Sequence, residues 1–278
     1  MNRIAVYTII AIVIAASLMA ANIAIKSSSS QSNSKYLVSM DNVALNSSML
    51  AALHLPNSVF AKVGIGSASN FPTVINAPAI SIYGKPAIVY IGADYCPYCA
   101  AERWGLVLAL SRFGNFTSLH YMTSSSSDYS PNTPTFTFYN SPYNSSYISL
   151  LTAELTTNKL SANRYAPLQN LTTQEQQIFD TYDLNNSALP PSYRGAIPFV
   201  DFAGHSMQVG SNFNPTLLQN SSWSSIIAML NNTNSTISQY VVGSANLVSA
   251  EICIITNSTP PLCQQGYMKN IINELKST

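Results

Sequence analysis

"YIGADYCPYCAAERWG", residues 90–105, sets two cysteines apart by Pro97 and Tyr98. Upstream, "AIVYIGA" (87–93) is a short apolar run, the pattern of a strand buried on both faces. Downstream, "CAAERWGLVLALSRFG" (99–114) has helical spacing, with Trp104, Val107, Leu108 and Ser111 following around the turns and Gly114 as a stop. Pro97 suits the first helical position, where its missing N–H is not needed. That spacing puts Cys96 at the N-cap, its sulfur facing backbone N–H groups with no partner inside the helix and the positive end of the helix dipole. Cys99 falls one turn inward on the same face. A thiolate attacks disulfides and a neutral thiol hardly does, so the chemistry needs a place that stabilises negative charge on sulfur. Cys96 is the candidate attacking thiol and Cys99 the shielded resolving thiol.

Working outward, "PAISIYGKPAIVYIGA" gives two extended segments joined at Gly84, Lys85 and Pro86. "NSSMLAALHL" predicts a short helix, followed by a turn-rich stretch around Gly64 and Gly66. "FTSLHYMTSSS", "TPTFTFYN" and "YISLLTAELT" are strand candidates. "TTQEQQIFDTYDL" predicts a capped helix, with Thr172 or Thr173 as N-cap and Glu175 or Gln176 reaching back. "AIPFVDFAG" predicts a strand with "HSMQVGS" as its hairpin partner. "SSWSSIIAMLNN", the segment from Ser235 to Thr256 and the chain after Gln264 predict helices. Strand–helix alternation up to Phe116 argues for an α/β layout.

The chain has 278 residues, room for one sizeable domain with additions. Hydrophobic residues make up 47%, enough for a core, but charged residues only 8%, so Ser, Thr, Asn, Gln and Tyr must supply the polar surface. The net charge of +1 and the absence of a basic stripe exclude nucleic acid as an expected partner. So few carboxylates would suit an acidic external medium. Ile4 to Ile25 form an apolar run long enough to span a bilayer as a helix; Arg3 and the amino terminus precede it, which places the rest of the chain outside the cell. A cleaved signal peptide is the alternative, with small residues at Ala20 and Ala21. Residues 27–39 then predict a Ser-rich flexible tether. Nine Asn-x-Ser/Thr triplets follow, at Asn46, Asn115, Asn144, Asn170, Asn185, Asn220, Asn231, Asn234 and Asn257, compatible with a glycosylated surface. A chain rich in Asn and Ser also makes such triplets by chance.

The strand, the Cys-Pro-Tyr-Cys motif and the helix together resemble the active site of the thioredoxin superfamily, the glutaredoxins and periplasmic disulfide oxidases above all. The resemblance implies a second mark, a cis-proline opening a later strand against the cysteines, and Ile197-Pro198 in "AIPFVDFAG" is the match. It implies that Ile197, Pro198 and the motif's own Tyr98 meet substrate, with the Ile197 backbone pairing to a peptide. It also implies a thioredoxin-like fold with an insertion at about 125–190 and a C-terminal helical extension at about 235–278. The CPYC-A-A-E-R-W run, the Ser-rich segment after the third strand and the C-terminal cysteine pair are also similar to an archaeal family of membrane-anchored proteins, domain of unknown function 929. Two positions depart from thioredoxins: Tyr95 stands where they carry tryptophan, and Tyr90 where they bury an aspartate as proton acceptor. Asp94 and Glu102 could take the Cys99 proton, but the pattern favours Asp94 as a capping residue, Glu102 on a solvated helix face and Trp104 in the core.

Cys253 and Cys263 flank "IITNSTPPL". Outside the cell a structural disulfide between them is the leading expectation; a second redox pair and a four-cysteine zinc site are the alternatives. His54, His120 and His205 have no ligand spacing, so no metal or cofactor is expected. The leading expectation is a membrane-anchored, extracellular thiol–disulfide oxidoreductase, an oxidase or isomerase acting on protein or peptide cysteines with a redox partner in the membrane. A glycosylated surface module with structural disulfides on the same scaffold is the alternative from another class, and a copper or zinc carrier a third.

Overall fold

The computed structural model describes residues 33–276. The first half opens with helical residues 33–39 (α1), then α2 (Ser47–Ala52), α3 (Asn57–Val63), β1 (Thr73–Val74), β2 (Ser81–Ile82) and β3 (Lys85–Gly92). The cysteine helix α4 (Pro97–Leu110) follows, then β4 (Gly114–Phe116), β5 (His120–Thr123), β6 (Pro134–Thr137) and β7 (Tyr143–Ser145). Next come β8 (Ser149–Glu154), β9 (Thr156–Ser161), β10 (Arg164–Pro167), α5 (Thr173–Phe179), β11 (Phe199–Phe202) and β12 (Ser206–Val209). Helices α6 (Trp223–Leu230), α7 (Thr236–Ile255) and α8 (Gly266–Leu275) end the chain.

The central sheet runs β1-β12-β11-β3; β8 also pairs with β3, and β2 forms a short hairpin with its start. β3 and β8 are parallel, from Ala87 opposite Ser149 to Gly92 opposite Glu154, whereas β11 pairs antiparallel with both β3 and β12. Ile88 and Tyr90 join Val200 and Phe202 in one apolar cluster with α4 and α7. Ala87, Val89 and Ile91 join Phe199, Met207 and Val209 in a second, against Ile178 and Phe179 of α5. Cover on both faces is why the strand is an unbroken apolar run rather than an alternating one.

Every residue of α4 except Tyr98 is buried. α4 crosses α7 closely because Gly105 carries no side chain; a Cβ there would lie 2.2 Å from Ser244 Oγ. At its far end the Arg112 guanidinium stacks 3.9 Å from the Phe60 ring centre and donates to Asn246, Ser249 and the Tyr267 hydroxyl, tying α4 to α3, α7 and α8. The Cys253–Cys263 disulfide is formed, with Cα atoms 5.5 Å apart, and joins the end of α7 to the turn before α8.

Several expectations need correction. Residues 33–39 are helical and bury Leu37, so the predicted tether does not extend to residue 39. The stretch 125–190 is not a separate insertion, because β8 within it completes the central sheet and α5 covers one face. Nor is the C-terminal segment an appendage: α7 is buried along most of its length, against α4. α4 stops at Leu110, before Gly114, which opens β4 instead. The turn-rich stretch before Gly64 forms α3. Among the described residues no helix is long and apolar enough to cross a membrane; the apolar run at residues 4–25 and the start of the tether lie outside them. The asparagines of the nine triplets are all exposed.

Candidate active site

β3 delivers the chain to the motif at Gly92, and Cys96 is the N-cap of α4 with Pro97 in the first turn. The Cys96 sulfur accepts the Cys99 backbone N–H at 3.2 Å. Both cysteines are free thiols; Cys96 is 6% exposed and Cys99 fully buried. Their environments separate them. The Cys96 thiol is held below the usual range, first by the hydrogen bond from Cys99 and then by the Cys99 backbone N–H and the Arg103 charge, which together outweigh burial. Burial, with the neighbouring Cys96, pushes Cys99 well above that range.

The later loop closes over this turn. Ile197-Pro198 is a cis peptide, and the Ile197 carbonyl lies 3.7 Å from Cys96 Sγ. Tyr98, 41% exposed, stacks parallel to Tyr129 with ring centres 6.4 Å apart. Tyr95 stacks on Tyr165 of the β9–β10 hairpin at 4.1 Å. The structure thus brings together Cys96, Cys99 and Ile197-Pro198, and lays Tyr98 against Tyr129 beside the motif. Cys253 and Cys263 form their own bridge.

Asp94 and Glu102 are not where the pattern puts them. Asp94 is 2% exposed and does not cap, because the helix starts beyond it at Pro97. Glu102 is fully buried, because α4 has no solvated face. Burial raises both carboxyls to about 7, and Glu154 adds to the shift at Asp94. Trp104 is in the core, its indole N–H donating to the Pro134 carbonyl at 2.8 Å.

The sequence reading missed a buried ion pair beside the thiols. Arg103, one turn after Cys99, donates to both carboxylate oxygens of Glu154 at 2.9 and 2.6 Å and to the Ala93 carbonyl at 2.7 Å. Its guanidinium is 3.7 Å from Asp94 Oδ1 and 5.8 Å from the Tyr90 ring centre. Tyr90, where the resemblance expects an acid, is a fully buried phenol whose pKa burial raises well above its ordinary value. A charged pair, Glu102-Arg103, inside an apolar helix of a charge-poor chain was the available signal. Glu154 had none, lying 51 residues further on.

The family model described as domain of unknown function (DUF929) matches residues 72–254, from β1 to the end of α7. The chain belongs to this family. No curated protein and no solved structure matches this DUF929 protein. The matched span of the DUF929 protein includes the motif, Arg103, Glu154 and residues 197–212, but not Cys263. Among its described residues no group of three or more His, Cys, Asp or Glu side chains could hold a metal ion.

Proposed function

We propose that this chain is an extracytoplasmic, membrane-anchored thiol–disulfide oxidoreductase acting on protein or peptide cysteines. The observation that carries the reading is the asymmetry of the couple: a capping Cys96 sulfur held toward thiolate beside a buried Cys99 held toward thiol. A parallel β3–β8 pair, the motif helix between them and an antiparallel β11–β12 pair after a cis-proline support a thioredoxin-like layout.

In the reducing direction, Cys96 thiolate attacks one sulfur of a substrate disulfide. The substrate S–S bond breaks, a mixed disulfide forms, and the released substrate thiolate takes a proton from solvent. Cys99 then gives up its proton to solvent and attacks the Cys96 sulfur. The mixed disulfide breaks, a second substrate thiolate leaves, and Cys96–Cys99 is left oxidised, two electrons having passed to substrate. Oxidation of a substrate dithiol is the same sequence reversed. Stabilising the Cys96 thiolate stabilises the reduced form, which makes the disulfide the better oxidant, so the oxidising direction is favoured. The Ile197 backbone beside the sulfur is the edge to which an extended substrate would pair.

Cys96→Ser is expected to abolish both insulin reduction and oxidation of a dithiol peptide, and Cys99→Ser to accumulate mixed disulfides that run as adducts on non-reducing gels. Full activity in Cys96→Ser would end the proposal.

A further inference from the structure

Glu102 lies one turn beyond Cys99 on α4, with no contact to solvent. Its Oε2 accepts the Asn212 backbone N–H at 3.1 Å. The Asn212 side-chain amide donates to Gln208 Oε1 at 3.2 Å, and Gln208 Nε2 donates to the Gly210 carbonyl at 3.0 Å. The Gly210 N–H donates to the Pro198 carbonyl at 2.8 Å. One peptide upstream is the Ile197 carbonyl that faces Cys96 Sγ. A continuous hydrogen-bonded run therefore leaves α4 at Glu102 and returns to its first turn at Cys96. Gln208 and Asn212 are buried too, so water does not compete for these bonds. Gly210 sits at φ +82°, a conformation that frees the chain to bend at this point.

Two acceptors on this run are left unpaired. Glu102 Oε1 and Asn212 Oδ1 are buried acceptors without donors. A proton on Glu102 turns its free oxygen into a donor, and burial holds that proton up to about pH 7. The groups facing Glu102 are the amides of Gln208 and Asn212. The charge that acts on Cys96 is Arg103.

We propose that Glu102 is a positioning residue that clamps the 208–212 turn, holding the Ile197 carbonyl against the Cys96 sulfur and its backbone edge in place for a substrate strand. The substrate half rests on the oxidoreductase reading; the effect on the thiol does not. A carbonyl that accepts the S–H favours the thiol, so releasing it favours the thiolate.

The test uses the detergent-solubilised full chain, reduced, as wild type, Glu102→Gln, Glu102→Ala and Gln208→Leu. Two quantities are measured: the pH profile of Cys96 alkylation by iodoacetamide, located by mass spectrometry, and KM and kcat on a peptide disulfide. Gln carries both a donor and an acceptor, so Glu102→Gln should match wild type at about pH 6, where Glu102 is protonated. Glu102→Ala should be alkylated roughly 3–10-fold faster there, as the Cys96 pKa falls by about half to one unit. KM should rise several-fold with kcat little changed. Gln208→Leu breaks the run while keeping the Glu102 carboxyl and the Asn212 N–H it accepts, and should move both quantities the same way. Wild-type alkylation profiles in folded Glu102→Ala and Gln208→Leu would overturn the clamp; if Glu102→Ala does not fold, Gln208→Leu decides. Shifted alkylation profiles with no redox activity in any form, wild type included, would uphold the clamp on the thiol and discard the oxidoreductase reading.

Discussion

Among single residues, Arg103 has the widest reach. Its charge is spent on Glu154 and Asp94, yet it also lowers the pKa of both thiols. Removing either member of a buried pair leaves an uncompensated charge, at a cost of about 3–5 kcal/mol. Arg103→Gln and Glu154→Gln should therefore destabilise the fold by similar amounts, yet move the thiols oppositely. Loss of the cation raises the Cys96 and Cys99 pKa values; loss of the anion lowers that of Cys99. Thiolate absorbance near 240 nm against pH reads the sign, and shifts of the same sign in both variants would refute this account. The sequence made the two cysteines legible because a helix start imposes local rules: Pro in the first turn, Cys at the cap. It misplaced Asp94 and Glu102 because charge alone says outside, and only the packing of α4 against the sheet and α7 says otherwise.

Whole elements were legible in proportion to how local their causes are. The Thr172–Glu175 capping box forms as the pattern predicts. The hairpin of β11 and β12 forms too, turned by Ala203 and Gly204 at positive φ. What stayed hidden was pairing at a distance: Ser149 lies opposite Ala87, and nothing near either residue announces it. That is why the sequence alone puts β8 inside an insertion. The α7–α8 junction gives a prediction on this scale. Cys253 and Cys263 are 10 residues apart, and closing a loop of that size stabilises by about 2–3 kcal/mol in the chain-entropy account. Cys253→Ser with Cys263→Ser should lower the denaturant midpoint accordingly. It should leave the alkylation profile of Cys96 unchanged; a change there would make the bridge part of the redox chemistry.

Among the described residues, five buried carboxyls shift the same way. Burial raises Asp94, Glu102 and Glu251 to about 7 and Asp183 and Asp201 to about 6. In the unfolded chain such groups ionise near pH 4. From about pH 4 to 7 the native state therefore holds protons that the unfolded state has released, and stability falls as pH rises through that window. Even about 2 kcal/mol of net effect moves Tm by roughly 5 °C in a domain of this size. Calorimetry should show a higher Tm at pH 4.5 than at pH 8, and a flat or rising profile would contradict these protonation states. The same carboxyl-poor composition suggested an acidic medium, but composition cannot say which carboxyls are buried. One further consequence follows from the near-complete enclosure of α4, where only Tyr98 reaches solvent. Its amides have no local route to deuterium, so they should exchange only when the entire domain opens. Heat would then destroy chemistry and structure in one event, with no partly unfolded form that still works and none that is intact but inert.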